Sequence, residues 1–290
     1  MPPDRARPPV ITFLSDYGLI DEFVGVCHAV IAQRCPGARV IDLTHAIPPQ
    51  DVRAGAGILA AATPYLPGGV HLAVVDPGVG AAGGDQARRA VALRTVSEHH
   101  VLVGPDNGLL IPAAGRLGGV AEAVDIGDSR ERLERVSATF HGRDIFAPVA
   151  AALAAGAMLA DVGQPIAPDG LRRLDQPHAL ARDGALTTHV LRADTFGNLV
   201  LDARAEDLAE LGLSPGEPLC IDHATRTHAT RTHAARTHAA RYARTFADVP
   251  PGELLLYEDA QWTLALAVNR GSAAALLGAA RDDEVVIRRG

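Results

Sequence analysis

Short apolar runs alternate with longer stretches of helical period along the first half of the chain. VITFL (10–14), ARVIDL (38–43), VHLAVV (70–75), AVALR (90–94) and HVLVG (100–104) are nearly continuous in apolar character, as strands buried on both faces are. Between the first two, Phe23, Val24, Cys27, Val30 and Ile31 recur at helical spacing, and Pro36-Gly37 stops that helix after Arg34 and Cys35. Val52 to Tyr65 and Arg143 to Ala155 carry the same period, the latter with Phe146, Val149, Ala150 and Leu153 on one face. This alternation predicts an α/β N-terminal domain over 9–168, with a central, mostly parallel sheet between helices.

The pattern then changes. GQPIAPDGLRRLDQP has no sustained period and contains three prolines, so 169–184 reads as a linker. Beyond it, THVLRA, NLVLD, LLLYED, TLALAVN and EVVIRR are short runs separated by turns, with two brief helical segments, which predicts a small antiparallel, barrel-like β domain over 185–290. Within that domain a five-residue repeat over 223–243 sets His223, His228, His233 and His238 at even intervals. Steps of five turn a helix by about 140° and alternate the faces of a strand, so no regular element gathers all four on one ion. The expectation is a mobile insertion looping away from the domain.

With 290 residues, 48% of them apolar, the chain can bury a full core for two domains, and no run approaches the roughly 20 apolar residues of a membrane helix. The N-terminal MPPDRARPP lacks the apolar stretch of a secretory leader. A net charge of -7 with no broad basic face argues against nucleic acid as a partner. Three cysteines without C-x-x-C spacing point to a reducing cytoplasm rather than to disulfides or a zinc ribbon.

Four segments carry candidate chemistry. Asp16 ends the first strand at its carboxyl end, where α/β sheets bind ligands, and a carboxylate there matches the two hydroxyls of a ribose; Asp21 follows at the start of a helix. A turn residue and an N-cap account for the two equally well. Gly78, Gly80 and Gly83 spell G-x-G-x-x-G, but the segment leads into another strand instead of a helix, so the dinucleotide reading fails. What remains is Asp76 at a strand end with Arg88 and Arg89 returning beside it, either a positioned ion pair or a surface pair. His141 precedes a helix whose dipole disfavours its charged form. Phe196 and Asn198 flank Gly197 in the second domain, an aromatic face and an amide suited to a purine, or simply a turn.

Taken in order, SDYGLIDEFVG, IDLTHAIPPQDV, VVDPGVG, VGPDNGLL, TFHGRDIFAP and DTFGNL resemble the S-adenosylmethionine (SAM) hydroxide adenosyltransferase family, which is related to fluorinase and chlorinase. The resemblance runs from about Val10 to the C-terminus. Hydrolytic members use an Asp, an Arg and a His that fall on Asp76, Arg88 and His141, and the halogenating members are distinguished by tyrosine within that set. The activity implied is hydrolysis of SAM to adenosine and methionine by water attacking ribose C5′, with no cofactor and no metal. By the same resemblance Asp16 would hold the ribose diol, Asp21 and Asp194 the methionine ammonium, and Phe196 with Asn198 the adenine. Family members are trimers with the pocket between subunits, so a homotrimer is implied as well. The turn before Arg88 is longer than usual, leaving Arg88 and Arg89 as alternatives, and the family's D-S-x-G-x-L stretch reads here Asp259-Ala260-Gln261-Trp262-Thr263-Leu264. A halogenase of the same family and a SAM-binding protein without turnover are the competing readings.

Overall fold

Strands that are apolar on both faces are satisfied between two layers of helix, and that arrangement builds the first of two units, Met1–Leu174 and Asp175–Gly290. The computed structural model describes residues 8–81, 83, 87–97, 99–175, 177–224 and 235–290. In the first unit, β1 (Val10–Ser15), β2 (Arg39–Thr44), β3 (Gly69–Val74), β4 (Ala90–Thr95), β5 (His100–Pro105), β6 (Val120–Asp125) and β7 (Gln164–Ile166) form one sheet in the order β2-β1-β3-β5-β4-β6-β7. The pairs β1–β2, β1–β3 and β3–β5 are parallel. The rest are antiparallel. Strands β4 and β7 therefore run against the other five, and for β4 the reason is plain: the four residues between it and β5 are too few for a parallel crossover. The sequence pattern missed β6 and β7: β7 is a three-residue edge strand, and β6 beside it carries Glu122 and Asp125 and is exposed over Ala121 and Glu122.

The helices are α1 (Phe23–Arg34), α2 (Val52–Ala62), α3 (Ile111–Arg116) and α4 (Ala147–Ala154), with a single turn at Leu159–Val162. Ile11 and Phe13 of β1 join Val70, Leu72 and Val74 of β3 in a core covered by α1 and α4. Leu14, Ala73, Val75 and Leu102 face the other way, against Ala56 and Leu59 of α2 and Ala113 of α3. Each such side chain contributes about 1.5–3 kcal/mol on burial. Asp51 caps α2, accepting from the Ala54 N–H at 3.0 Å. Pro64 converts the predicted end of that helix into a 3-10 turn, Thr63–Tyr65. The helix expected from Arg143 begins instead as a π-turn, Gly142–Phe146, before α4. Among the described residues no helix is long and apolar enough to cross a membrane.

The second unit holds β8 (Leu180–Arg182), β9 (Ala185–Ala193), β10 (Leu199–Leu201), β11 (Pro218–Ala224), β12 (Ala235–Tyr242), β13 (Leu254–Glu258), β14 (Leu264–Val268) and β15 (Glu284–Arg289). Their order is β10-β14-β13-β12-β11-β15-β9-β8, and pairing of β10 with β9 closes seven of them into a barrel. Two short helices, Ala205–Glu210 and Ala273–Leu277, are the brief helical segments the pattern predicts. The barrel is antiparallel except for β12 beside β13.

The histidine repeat is not wholly an excursion from this barrel. His223 lies in β11, and 235–242 form β12, paired with β11 from Pro218↔Arg241 to Ala224↔Ala235. His228 and His233 lie outside the described residues. The correction has a simple cause: along ARTHAARY, His238, Ala240 and Tyr242 point inward while Thr237, Ala239 and Arg241 point outward, so the repeat meets the two-residue alternation of a strand. Thr237 Oγ1 also donates across the ladder to Asp222 Oδ1 at 2.6 Å. If β12 is a barrel stave, Ala240→Asp buries an unpaired carboxylate and destabilises by about 3 kcal/mol or more, whereas Ala239→Asp on the outer face changes stability by less than about 0.5 kcal/mol. Urea unfolding of the two variants reads this difference, and equal effects would remove β12 from the barrel.

Candidate active site

Parallel pairing of β1 and β3 sets Ser15 opposite Val74, so the chain leaves both strands at the same edge of the sheet, carrying Asp16 and Asp76 out together. This is the carboxyl edge of a parallel sheet, where side chains emerge without being needed by the core. Asp16 accepts from the Gln50 N–H at 2.8 Å. Burial raises its carboxyl above the ordinary value; the Gln50 hydrogen bond opposes that shift and the charge of Asp76 adds to it.

Asp76 itself is compensated. Arg88, two residues before β4, donates from Nε to Asp76 Oδ1 at 2.8 Å and from Nη2 to Asp76 Oδ2. The Arg88 and Asp76 side chains are only 5% and 6% exposed. The same Nη2 lies 2.9 Å from His141 Nδ1, and the guanidinium carbon is 5.4 Å from the centre of the Phe146 ring. A guanidinium only donates, so Nδ1 accepts and the neutral ring carries its proton on Nε2. Burial, followed by the charge of Arg88, lowers the His141 pKa below the ordinary histidine value. The structure thus brings Asp76, Arg88 and His141 into one connected set. Arg89 points elsewhere, to Asp106 Oδ2 at 2.9 Å and the Gly170 carbonyl at 2.5 Å.

Two close approaches hold this set. Gly80 has φ +73°, and a Cβ there would meet the Ala138 carbonyl oxygen at 2.0 Å, so only glycine lets the turn after Asp76 lie against the segment leading to His141. A Cβ on Gly142 would meet Tyr17 Oη at 2.0 Å. Asp144, fully buried, accepts from the Ser137 N–H at 2.7 Å and Arg143 Nε at 2.6 Å, which fixes the loop on the other side of His141. Tyr17 was not singled out by sequence, because a tyrosine beside an aspartate carries no spacing signal; burial raises its hydroxyl well above the ordinary value, and the charges of Asp76 and Asp16 add to this.

Asp21 stands apart. It is exposed, precedes Glu22 at the N-cap of α1, and makes no hydrogen bond or ion pair among the described residues. The neighbouring Leu19 and Ile20 are 78% and 98% exposed.

In the second unit Asp194, Phe196 and Asn198 form the turn from β9 to β10. Asp194 Oδ1 accepts from the N–H groups of Phe196 and Asn198 at 2.8 and 2.9 Å, and its Oδ2 accepts from Asn198 Nδ2 at 2.8 Å. The aspartate is therefore the organiser of this turn. Gly197 is required, since φ is +81° and a Cβ would meet Ser272 Oγ at 2.1 Å. Phe196 is left 78% exposed, while Asn198 is buried. They line an open cavity of about 650 Å³ with Arg192, Tyr257 and Gln261. Burial pushes the Tyr257 hydroxyl up to about 12. At one side of the cavity Asp259 Oδ1 accepts from the Gln261 and Thr263 N–H groups at 2.9 and 3.0 Å. Trp262 in that turn adopts φ +63°, a conformation glycine takes freely.

Comparison with known proteins identifies the family. Residues 11–163 match the SAM hydroxide adenosyltransferase N-terminal domain and 188–286 match its C-terminal domain. The chain is 47% identical over 285 residues to the (R)-S-adenosyl-L-methionine hydrolase of Salinispora arenicola, covering 98% of this chain and 100% of that one. A fluorinase of Nocardia brasiliensis is more distant, at 29% identity over 75% of this chain and 78% of its own. Among solved structures, an uncharacterized conserved protein from Thermotoga maritima superposes with a TM-score of 0.85 at 34% identity, covering 96% of this chain and 100% of that one. By both of its domains, the chain belongs to the SAM hydroxide adenosyltransferase family.

Proposed function

We propose that this protein hydrolyses S-adenosylmethionine to adenosine and methionine, water attacking ribose C5′ in line with the departing sulfur. The observation that carries the reading is the charge balance of the Asp76–Arg88–His141 set: one anion and one cation nearly sealed from solvent, beside a neutral, half-buried imidazole. Arg88 is spent on Asp76, and Asp16 lies at the same edge of the sheet, so a halide would meet two carboxylates and no uncompensated cation. A neutral water meets donors and acceptors. His141 Nε2–H would donate to the nucleophilic oxygen and so fix one lone pair toward C5′. Each oxygen of Asp76 takes one bond from Arg88 and keeps a lone pair, which makes Asp76 the proton acceptor. Methionine departs as a neutral thioether, so no acid is required at sulfur; orienting one stripped water is the remaining work.

Asp16 takes the ribose diol, Phe196 stacks on adenine and Asn198 reads its edge. Asp21 and Asp194 take the methionine ammonium, Asp194 through the Oδ2 lone pair its turn leaves unused. The family resemblance implies a homotrimer with sites completed between subunits, and the exposed apolar surface of Leu19 and Ile20 beside Asp21 supports that reading. The free cysteines Cys27, Cys35 and Cys220 suit the cytoplasm. The relatives' name specifies the (R) configuration at the pyramidal sulfonium. In-line attack at C5′ is indifferent to that centre, so selection between epimers falls to the methionine end, where Trp262 replaces a glycine.

Purified protein given each SAM epimer, with and without chloride, should release adenosine and methionine in equal amounts from the (R) form, unaffected by chloride. A 5′-chlorinated product would make it a halogenase, and tight binding without product a sensor. Asp76→Asn is expected to lower kcat by about 10²–10⁴-fold with little change in KM. Phe196→Ala removes a stacking face of about 1–3 kcal/mol and should raise KM at least about fivefold while kcat changes less. The pH profile follows from His141: protonating Nδ1 sets two cations against each other and breaks the Arg88 contact, so activity falls as pH drops through the His141 pKa. With that pKa lowered in the folded protein, the acid limb should lie below the ordinary histidine value of about 6.5; a limb above it would contradict the assigned tautomer.

A further inference from the structure

A second polar cluster in the first unit takes no part in that reaction. His28 lies in the middle of α1, Asp42 in β2, and His45 just after β2. His28 Nε2 is 2.9 Å from Asp42 Oδ1, and His45 Nε2 is 3.0 Å from the same oxygen. The three ligand atoms lie within 4.8 Å of one another. The His45 side chain is 2% exposed and its Nε2 lies 3.0 Å from Asp42 Oδ1, yet that nitrogen makes no hydrogen bond. A buried imidazole nitrogen left without a hydrogen bond costs about 1–3 kcal/mol.

The other ring nitrogen of His45 explains the direction of this vacancy. Nδ1 lies 2.7 Å from Ser15 Oγ, which also accepts from the Tyr17 N–H at 3.3 Å. With the Nδ1 proton given to Ser15, Nε2 presents a lone pair toward a carboxylate, and two electron-rich atoms face each other at 3.0 Å. A cation between them resolves that conflict. The accompanying Nδ1–H bond to a buried serine is the outer-shell support that ligating histidines use to fix tautomer and ring orientation.

We propose that His28 Nε2, Asp42 Oδ1 and His45 Nε2 form a binding site for a divalent first-row transition ion of the zinc type, with water completing its shell. Two imidazoles and one carboxylate are donors that suit such ions and disfavour magnesium or calcium. Ligand atoms at about 2.0–2.1 Å from a tetrahedral ion stand roughly 3.3 Å apart, so the observed spacings open by a few tenths of an ångström on binding. His28 and Asp42 are 35% and 42% exposed, which gives the ion an entry path and a solvent-facing coordination position. The Phe13 ring packs edge-on against His45, with centroids 4.6 Å apart, and holds the buried ligand from below. Bound there, the ion ties α1 and β2 to the turn that follows β1, since the Gly18 N–H donates to the His45 carbonyl at 2.8 Å.

The test has to separate this site from the histidine repeat, which offers its own imidazoles. Metal-free full-length protein is titrated with Co²⁺ and followed by visible d–d absorption, with Zn²⁺ displacement as a second readout, for the unchanged chain, for His28→Gln, for Asp42→Asn and for a His228→Ala/His233→Ala double variant. We expect one equivalent of cobalt with a low-symmetry nitrogen and oxygen spectrum in the unchanged chain and in the double variant. Both single variants should bind at least about tenfold more weakly. His28 is partly exposed, and a melting temperature of His28→Gln equal to that of the unchanged chain in chelator shows that the variant is folded. No bound cobalt, binding unaltered by His28→Gln and Asp42→Asn, or binding lost only with the repeat histidines would each overturn the proposal. The readout is metal stoichiometry, so the result is independent of whether SAM is turned over.

Discussion

The ion pair of Asp76 and Arg88 constrains everything around it. Two charges withdrawn from water are tolerable only when their geometry is nearly ideal and every remaining polar atom is served; a partner left alone in such a place costs about 3–5 kcal/mol. Here the guanidinium meets both carboxylate oxygens and spends a further donor on His141. One contact set thereby fixes the orientation of the aspartate, the tautomer of the histidine and the net charge of the pocket. The π-turn after His141 follows from the same demand, since the backbone there has to pass against Tyr17 with only a glycine between them.

The sheet supplies what the pair cannot. Parallel pairing of β1 with β3 carries two aspartates out at one edge, and the two carry different environments. Asp76 is neutralised by Arg88, whereas Asp16 accepts from the Gln50 N–H and is partly desolvated. An ionised carboxylate without a cation suits neutral hydroxyl donors, and a compensated one suits the handling of a water. Two identical side chains thus acquire separate tasks from their neighbours alone.

Much of this was legible along the chain, and the misses have physical causes. Continuous apolar runs identified β1 to β5 because strands buried on both faces leave no polar interruption, while β6, interrupted by Glu122, and the three-residue edge strand β7 left too little of that signal. The failed G-x-G-x-x-G reading was correct for a local reason: the run AVALR that follows is a strand. Arg88 and Arg89 could not be told apart by spacing, since adjacent residues before a strand differ only in which face they take; Asp106 claims Arg89 from the opposite side. The histidine repeat misled because its five-residue period drew attention away from the two-residue alternation of its last eight residues. The six family segments identified what composition alone leaves open, namely the family.

The central claim is that water, oriented by Asp76, Arg88 and His141, attacks C5′ of the ribose. Turnover of (R)-S-adenosyl-L-methionine in oxygen-18 water, with mass spectrometry of both products, tests this most directly. The account predicts adenosine carrying the heavy oxygen at its 5′ position and unlabelled methionine. Adenosine without the label, or label in a fragment of the amino acid chain, would place bond cleavage elsewhere and contradict it.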